Sequence, residues 1–159
     1  MATTNYAIAL GSNRRSRHGS PAETLRAALG ELEPVAVSTI RATPALGPAG
    51  RSFANAVAIV ESDLLPDALL AVFKGMERAF GRRPGKAWGP RVLDLDIILW
   101  SEGPWGGPGP IVPHPAFRGR SFVLSPLAEL APDWRDPVTG LAVRHLLARL
   151  TAPRPAHRG

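Results

Sequence analysis

The run WGPRVLDLDIILW, residues 88–100, constrains this chain more than any other stretch. It opens as a Gly/Pro loop carrying Arg91 and becomes a strand in which Asp94 and Asp96 stand two residues apart. Side chains alternate along a strand, so both carboxylates share one face, and Leu93, Leu95 and Ile97 share the other. Neighbouring carboxylates repel each other and lose hydration together. A cation between them removes the conflict. Two hard oxygen ligands suit Mg²⁺ better than zinc, and Mg²⁺ completes its shell with water and substrate phosphates. The bland alternative is a strand end with two solvated aspartates, because short acidic motifs recur by chance. The flanking residues weigh on that choice.

Those flanks are basic. Arg82, Arg83, Lys86 and Arg91 precede the strand, and His114, Arg118 and Arg120 follow it. Carboxylates framed by cationic segments suit a polyanion bridged to the protein by metal, and the planar fork of Arg donates two hydrogen bonds to phosphate at once. No GxxxxGKS/T loop is present. Gly11, Ser12 and Asn13 are followed by Arg14 and Arg15, so side-chain cations and metal, rather than a glycine-rich cradle, would have to hold phosphates.

The blocks AIALGSN (7–13), RATPALG (41–47), FANAVA (53–58), GPRVLDLDIILW (89–100), VPHP (112–115) and RSFVLSPLAELAP (120–132) occur in this order over residues 7–132. In these blocks the chain resembles the 6-hydroxymethyl-7,8-dihydropterin pyrophosphokinase family of folate biosynthesis. The resemblance implies transfer of the β,γ-pyrophosphoryl unit of ATP to the pterin hydroxymethyl group, with release of AMP. It implies ATP and the pterin as partners, two Mg²⁺ ions held by Asp94 and Asp96, and no nucleic acid or membrane. By position, Arg82 and Arg91 match the family's catalytic arginines. Glu77, Trp88, Ile97, His114 and Arg120 match its nucleotide site. Thr43, Pro44, Ala45, Leu46, Phe53, Asn55 and Phe122 match its pterin site. Phe53 and Phe122 resemble the two rings that sandwich the heterocycle, and Asn55, mid-strand, is the residue expected to hydrogen-bond its edge.

Each of these residues also has a plainer reading. Loop arginines are usually solvated, a lone His is usually structural, and Glu77 fits a helix surface. His114 lies between two prolines that stiffen its loop, whereas His18, His145 and His157 have no such context.

Composition sets the outer bounds. The chain has 159 residues, enough for one domain with a real core. It has no Cys, which excludes disulfides, thiolate metal sites and a cysteine nucleophile and is compatible with a reducing cytoplasm. No signal peptide is visible at the N-terminus, and no apolar run approaches the ~20 residues of a membrane span. Nineteen Lys and Arg against 13 Asp and Glu give a net charge of +6, which suits anionic ligands. Arg14, Arg15, Arg17, Arg154 and Arg158 read mostly as solvated surface.

The pattern predicts strands over residues 6–10, 35–43, 53–61 and 94–100. It predicts helices over 21–32, 66–80 and 141–150, and a short helical turn at 115–119. Ser20, Pro21 and Glu23 give the first helix an N-terminal signature, Ser62 or Asp63 would open the second, and Gly81 would end it. In the strand over 35–43, Val35, Val37 and Thr39 share one face. The order βαββαβ is that of an α+β, ferredoxin-like fold with helices on a mostly antiparallel sheet, in a single domain spanning 1–159 with a frayed tail after residue 150. The expectation is a cytoplasmic monomer.

Two loops depart from the family pattern. The first continues after Asn13 as RRSRHGSPAE, and residues 101–110 contain WGGPGP where many members carry ATP-contacting side chains. Both loops are expected to be mobile without ligand. Two competing functions remain at this point: a basic nucleic-acid-binding module, which would want aromatics exposed on the sheet face, and another Mg-dependent nucleotidyl transferase.

Overall fold

The structure is a computed structural model that describes residues 2–43, 52–81 and 91–153. Its centre is strand β1 (Thr4–Ser12), in which Tyr6, Ala7, Ile8 and Leu10 are all buried. Strand β4 (Phe53–Ser62) pairs with one side of β1 and strand β5 (Asp94–Trp100) with the other, both antiparallel. Strands β2 (Ala36–Val37) and β3 (Arg41–Thr43) both pair antiparallel with β4 at the outer edge. With helices α1 (Pro21–Leu32) and α2 (Pro66–Ala79) between the strands, this is the ferredoxin-like α+β fold.

The predicted strand over 35–43 is interrupted, and the cause is local. Ser38 Oγ accepts the Val57 N–H at 2.9 Å. Next to it, the Glu129 carboxylate takes both the Thr39 N–H, at 3.0 Å, and the Thr39 hydroxyl, at 2.8 Å. Side chains thus replace ladder bonds across the break. Val35 and Val37, on the shared face, are 58% and 40% exposed, while Ser38 is buried.

The sheet is covered on both faces. Helices α1 and α2 close one core around Tyr6, Ile8, Leu25, Phe73, Leu95 and Ile97. Helix α1 carries the full capping box: Ser20 Oγ accepts the Glu23 N–H and Glu23 Oε1 accepts the Ser20 N–H. Helix α2 starts differently from expectation. Its N-cap is Leu65, with no side-chain cap, rather than Ser62 or Asp63. Pro66 at the first turn needs no N–H partner, which lowers the demand for a cap. Gly81 follows at φ +117, the left-handed geometry that lets the chain turn away from the helix.

The other face is covered by α3 (Ser121–Leu130) and α4 (Val143–Thr151), which together with the turn Phe117–Gly119 pack Phe117, Leu124, Leu127, Val143 and Leu146 onto Ala7, Val57 and Ile98. Burying each of the larger of these side chains contributes roughly 1.5–3 kcal/mol. Helix α3 lies where the pattern predicted no element, and Pro126 falls within it. That proline lies on the buried side of an otherwise apolar helix.

Loop 101–110, expected to be mobile, is tied down. Trp105 and Val112 exchange backbone bonds of 2.8 and 2.9 Å, and the Trp105 ring sits edge-on to Trp100 at 5.8 Å. The loop also leaves the far end of β5, six residues and roughly 20 Å of strand from Asp94.

Candidate active site

The acidic strand keeps strict alternation only as far as Ile97. Ile8 pairs with Ile97 but Ala7 pairs with Leu99, so Ile98 is an extra residue, a β-bulge. The bulge has two results. Ile98 and Leu99 both enter the α3/α4 core. And Ile98, unpaired with β1, offers its carbonyl to the His114 N–H at 3.0 Å. This bond brings the Pro-His-Pro segment alongside the carboxylate face of β5. His114 Nδ1 then accepts the Ala116 N–H at 3.1 Å, which leaves the imidazole proton on Nε2.

Asp94, Asp96, His114, Arg120, Arg91 and Phe122 line one cleft of about 540 Å³, together with Asn13, Asn55 and the end of β1. A second cleft, of about 440 Å³, is lined by Thr43, Phe53, Asn55, Phe122, Arg91 and Asp94 with residues 11–13. The two share Gly11, Asn13, Asn55, Arg91, Asp94 and Phe122, so they form one trough. One half is rich in charge and the other carries two aromatic rings, Phe53 at 45% and Phe122 at 49% exposure. Gly11 forms part of the floor. A Cβ there would lie 3.4 Å from Asn55 Oδ1, in ordinary van der Waals contact with the Asn55 amide.

Arg91 Nη1 donates to Asp94 Oδ1 at 2.8 Å. That bond, opposed by partial burial, raises the guanidinium further above its ordinary range. Arg120 sits over the Phe122 ring at 5.7 Å, linking the charged half to the aromatic half. Burial pushes the Asp96 carboxyl up; His114 opposes the shift, Asp94 and Glu77 add to it, and Arg120 opposes it again. Burial pushes the His114 imidazole down and Asp96 partly offsets that, which favours a neutral ring at neutral pH.

These residues fit Mg²⁺. Asp96 is a carboxylate whose charge is disfavoured by its surroundings, two residues from a second one on the same cleft wall. Among the described residues no three His, Cys, Asp or Glu side chains converge as a metal cage. The donor set therefore suits an ion that arrives with phosphate ligands of its own.

The structure thus brings together Arg91, Asp94, Asp96, His114, Arg120, Thr43, Phe53, Asn55 and Phe122. Ile97 and Glu77 do not line either cleft. Ile97 is 3% exposed and faces the α1/α2 core, as its parity with Leu95 requires. Glu77 is 1% exposed and accepts the Leu95 N–H at 2.8 Å. Arg118, grouped above with the phosphate-facing cations, instead binds the fully buried Asp136 through two bonds of 2.5 and 2.9 Å. Arg82, Trp88, Pro44, Ala45 and Leu46 lie outside the described residues. Sequence reasoning gave Asn13 no role of its own, although a polar residue closing a buried strand is a usable signal.

The model of the 7,8-dihydro-6-hydroxymethylpterin-pyrophosphokinase family matches residues 7–132. The chain belongs to this family. A pyrophosphokinase of Pseudomonas aeruginosa, named for 2-amino-4-hydroxy-6-hydroxymethyldihydropteridine, is 42% identical over 137 residues, covering 82% of each chain. One of Methylorubrum extorquens is 36% identical and covers 92% of this chain and 94% of its own. Among solved structures, a Plasmodium falciparum HPPK-DHPS aligns with a TM-score of 0.65 at 13% identity, over 93% of this chain and 43% of that one. At that identity the likeness speaks for the fold alone.

Proposed function

We propose that the charged half of the trough holds the triphosphate of ATP, that the aromatic half holds the pterin, and that transfer takes place where they meet, beside Asp94 and Arg91. As a member of its family the chain is an ATP-dependent pyrophosphokinase of folate biosynthesis. It moves the β,γ-pyrophosphoryl unit of ATP to the hydroxymethyl group of 6-hydroxymethyl-7,8-dihydropterin. The hydroxymethyl oxygen attacks the β-phosphorus and gives up its proton to solvent, the bond from that phosphorus to the α,β-bridging oxygen breaks, and AMP leaves. The carrying observation is that two distinct clefts share Asp94, Arg91, Asn55 and Phe122.

Asp94 and Asp96 would hold the Mg²⁺. Bound there with the nucleotide, the metal would supply charge neutralisation for the phosphate oxygens. Arg91 faces the same position and stabilises charge on the group in transfer. His114, with its proton on Nε2, and Arg120 donate to phosphate oxygens in the charged half. Phe53 and Phe122 stack on the pterin faces, and Asn55 pairs with its edge, which fixes the hydroxymethyl group toward Asp94.

The decisive assay separates AMP from ADP as product with the pterin present. AMP formation that depends on the pterin supports the reading. ADP, or turnover without pterin, overturns it, and salt-steep oligonucleotide binding without turnover would favour the nucleic-acid alternative.

A further inference from the structure

The loop after β1 was read above as basic surface, but its contacts are not those of a solvated loop. Asn13 and Arg91, 78 positions apart, hold each other in a reciprocal pair of bonds. The Asn13 N–H donates to the Arg91 carbonyl at 3.0 Å, and the Arg91 N–H donates to Asn13 Oδ1 at 2.6 Å. Both backbone polar groups of Arg91 are therefore fixed by one residue.

The loop itself is hydrogen-bonded internally and anchored elsewhere. Ser16 and Gly19 exchange backbone bonds of 3.0 and 2.9 Å. Ser16 Oγ meets Thr24 Oγ1 of α1 at 2.7 Å, and the Ser20/Glu23 capping box follows at once. On its other side, Arg17 Nη2 donates to the Ala79 carbonyl at the end of α2 at 3.1 Å, and the His18 ring lies 4.7 Å from the Phe80 ring. The loop is thus braced against α1 and α2 while Asn13 reaches Arg91.

We infer that residues 13–19 form a brace whose purpose is to set the position of Arg91, with Asn13 as the positioning residue. This inference rests on the reading of Arg91 as a residue of the transfer site. A guanidinium at the end of a long side chain is only as well placed as its backbone, and Arg91 precedes β5, outside the sheet ladder. The two bonds from Asn13 supply the constraint that the ladder does not. With the backbone fixed, the side chain can keep its 2.8 Å contact with Asp94 and meet the transferred group in a reproducible orientation.

The test compares Asn13→Ala, which removes the acceptor, with Asn13→Asp, which keeps an acceptor oxygen in the same place. Two readouts are needed: steady-state kinetics with Mg-ATP and pterin, and hydrogen exchange of the Arg91 amide. Asn13→Ala is expected to lower kcat by about tenfold to a hundredfold, as displacement of a reacting group does. KM for the pterin should change less than about threefold by the same reasoning, because this binding interaction is not removed. The Arg91 amide should lose its protection. Asn13→Asp should restore that protection and recover most of the lost kcat, whatever its charge does to KM for ATP. Unchanged kcat and protection in Asn13→Ala would overturn the inference. So would an Asn13→Asp protein as slow as Asn13→Ala with the amide protected, since the amide group of Asn13 would then be acting directly on a ligand. If the wild-type protein released no AMP, the functional reading would fail while the exchange result still judged the brace.

Discussion

Glu77 on α2 accepts the backbone N–H of Leu95 at 2.8 Å, between the two carboxylates of β5. Among the described residues β5 is the outermost strand on its side of the sheet, and no described strand pairs with the outward N–H of Leu95. A buried carboxylate from α2 takes that place, and Lys74 Nζ stands 3.3 Å from the other Glu77 oxygen. The sequence match put Glu77 at the nucleotide. Its position makes it the support of the strand that carries Asp94 and Asp96.

Replacing this support should therefore show first in stability. Glu77→Ala leaves the Leu95 N–H buried without a partner, at a cost of about 1–3 kcal/mol. Glu77→Gln keeps a carbonyl acceptor for Leu95 and should lose less. Urea denaturation checks the order: both midpoints fall, Ala further than Gln, with the slope m unchanged. Equal stability of Glu77→Ala and wild type would show that the bond carries no weight.

The acidic pair should behave in the opposite sense. Asp94→Ala and Asp96→Ala each remove a proposed metal ligand and should abolish most turnover. Neither should unfold the protein. Asp94 and its partner Arg91 are both about a third exposed, so their pair contributes about 0–1 kcal/mol. Asp96 is a carboxylate whose charge burial opposes, so the apoprotein of Asp96→Asn should be at least as stable as wild type. Near-normal kcat at saturating Mg-ATP in any of these variants would remove the metal assignment.

The sequence made the sheet and most of the trough legible because their signals are local. Alternation marked β5, a capping box marked α1, and the matched blocks named Asn55, Phe53, Phe122, His114 and Arg120 as neighbours. What stayed hidden depends on contacts far apart in sequence. The bulge at Ile98, which seats His114, appears only in the register between β1 and β5. The break between β2 and β3 depends on Glu129, 90 positions from Thr39. Arg118 could not be told from a phosphate ligand until Asp136 was found beneath it, and Trp105 tied down a loop whose glycines suggested freedom.

The aromatic half of the trough should be separable from the charged half by ligand binding. Asn55→Ala removes the proposed polar contact to the pterin edge, and a polar group left unpaired in the bound state costs about 1–3 kcal/mol. Phe122→Ala removes one of the two rings proposed to stack on the pterin. Both should weaken pterin binding by about tenfold or more while changing ATP affinity little, as follows from the same energies. Calorimetric titration of each ligand decides. Equal losses for ATP and pterin would mean that the trough has collapsed rather than lost a contact.

The last prediction concerns pH and lies away from the trough. Asp136 is fully buried and accepts Arg118 Nε at 2.5 Å and Nη2 at 2.9 Å, the Val138 N–H at 2.9 Å and the Thr139 hydroxyl at 2.9 Å. Burial alone would raise its carboxyl. The Arg118 guanidinium and the two neutral donors outweigh it and hold the group below the usual carboxylate range. A depressed value in the fold means that the unfolded chain takes up the proton first as the solution is acidified. The stabilisation is therefore complete above the ordinary carboxylate range and is lost as the pH falls through the lower, folded value. Asp136→Asn removes the charge and leaves Arg118 facing a neutral amide. Breaking such a pair from its buried side costs about 3 kcal/mol at neutral pH, at the low end of the usual range because Arg118 is partly exposed. The gap in unfolding free energy between wild type and Asp136→Asn should close as the pH is lowered. Because Arg118 anchors the turn Phe117–Gly119, directly before Arg120 and α3, the variant should also lose ATP affinity at neutral pH. Urea titrations repeated from neutral to acid pH test the linkage, and a gap that stays constant with pH would show that Asp136 stabilises by shape rather than by charge.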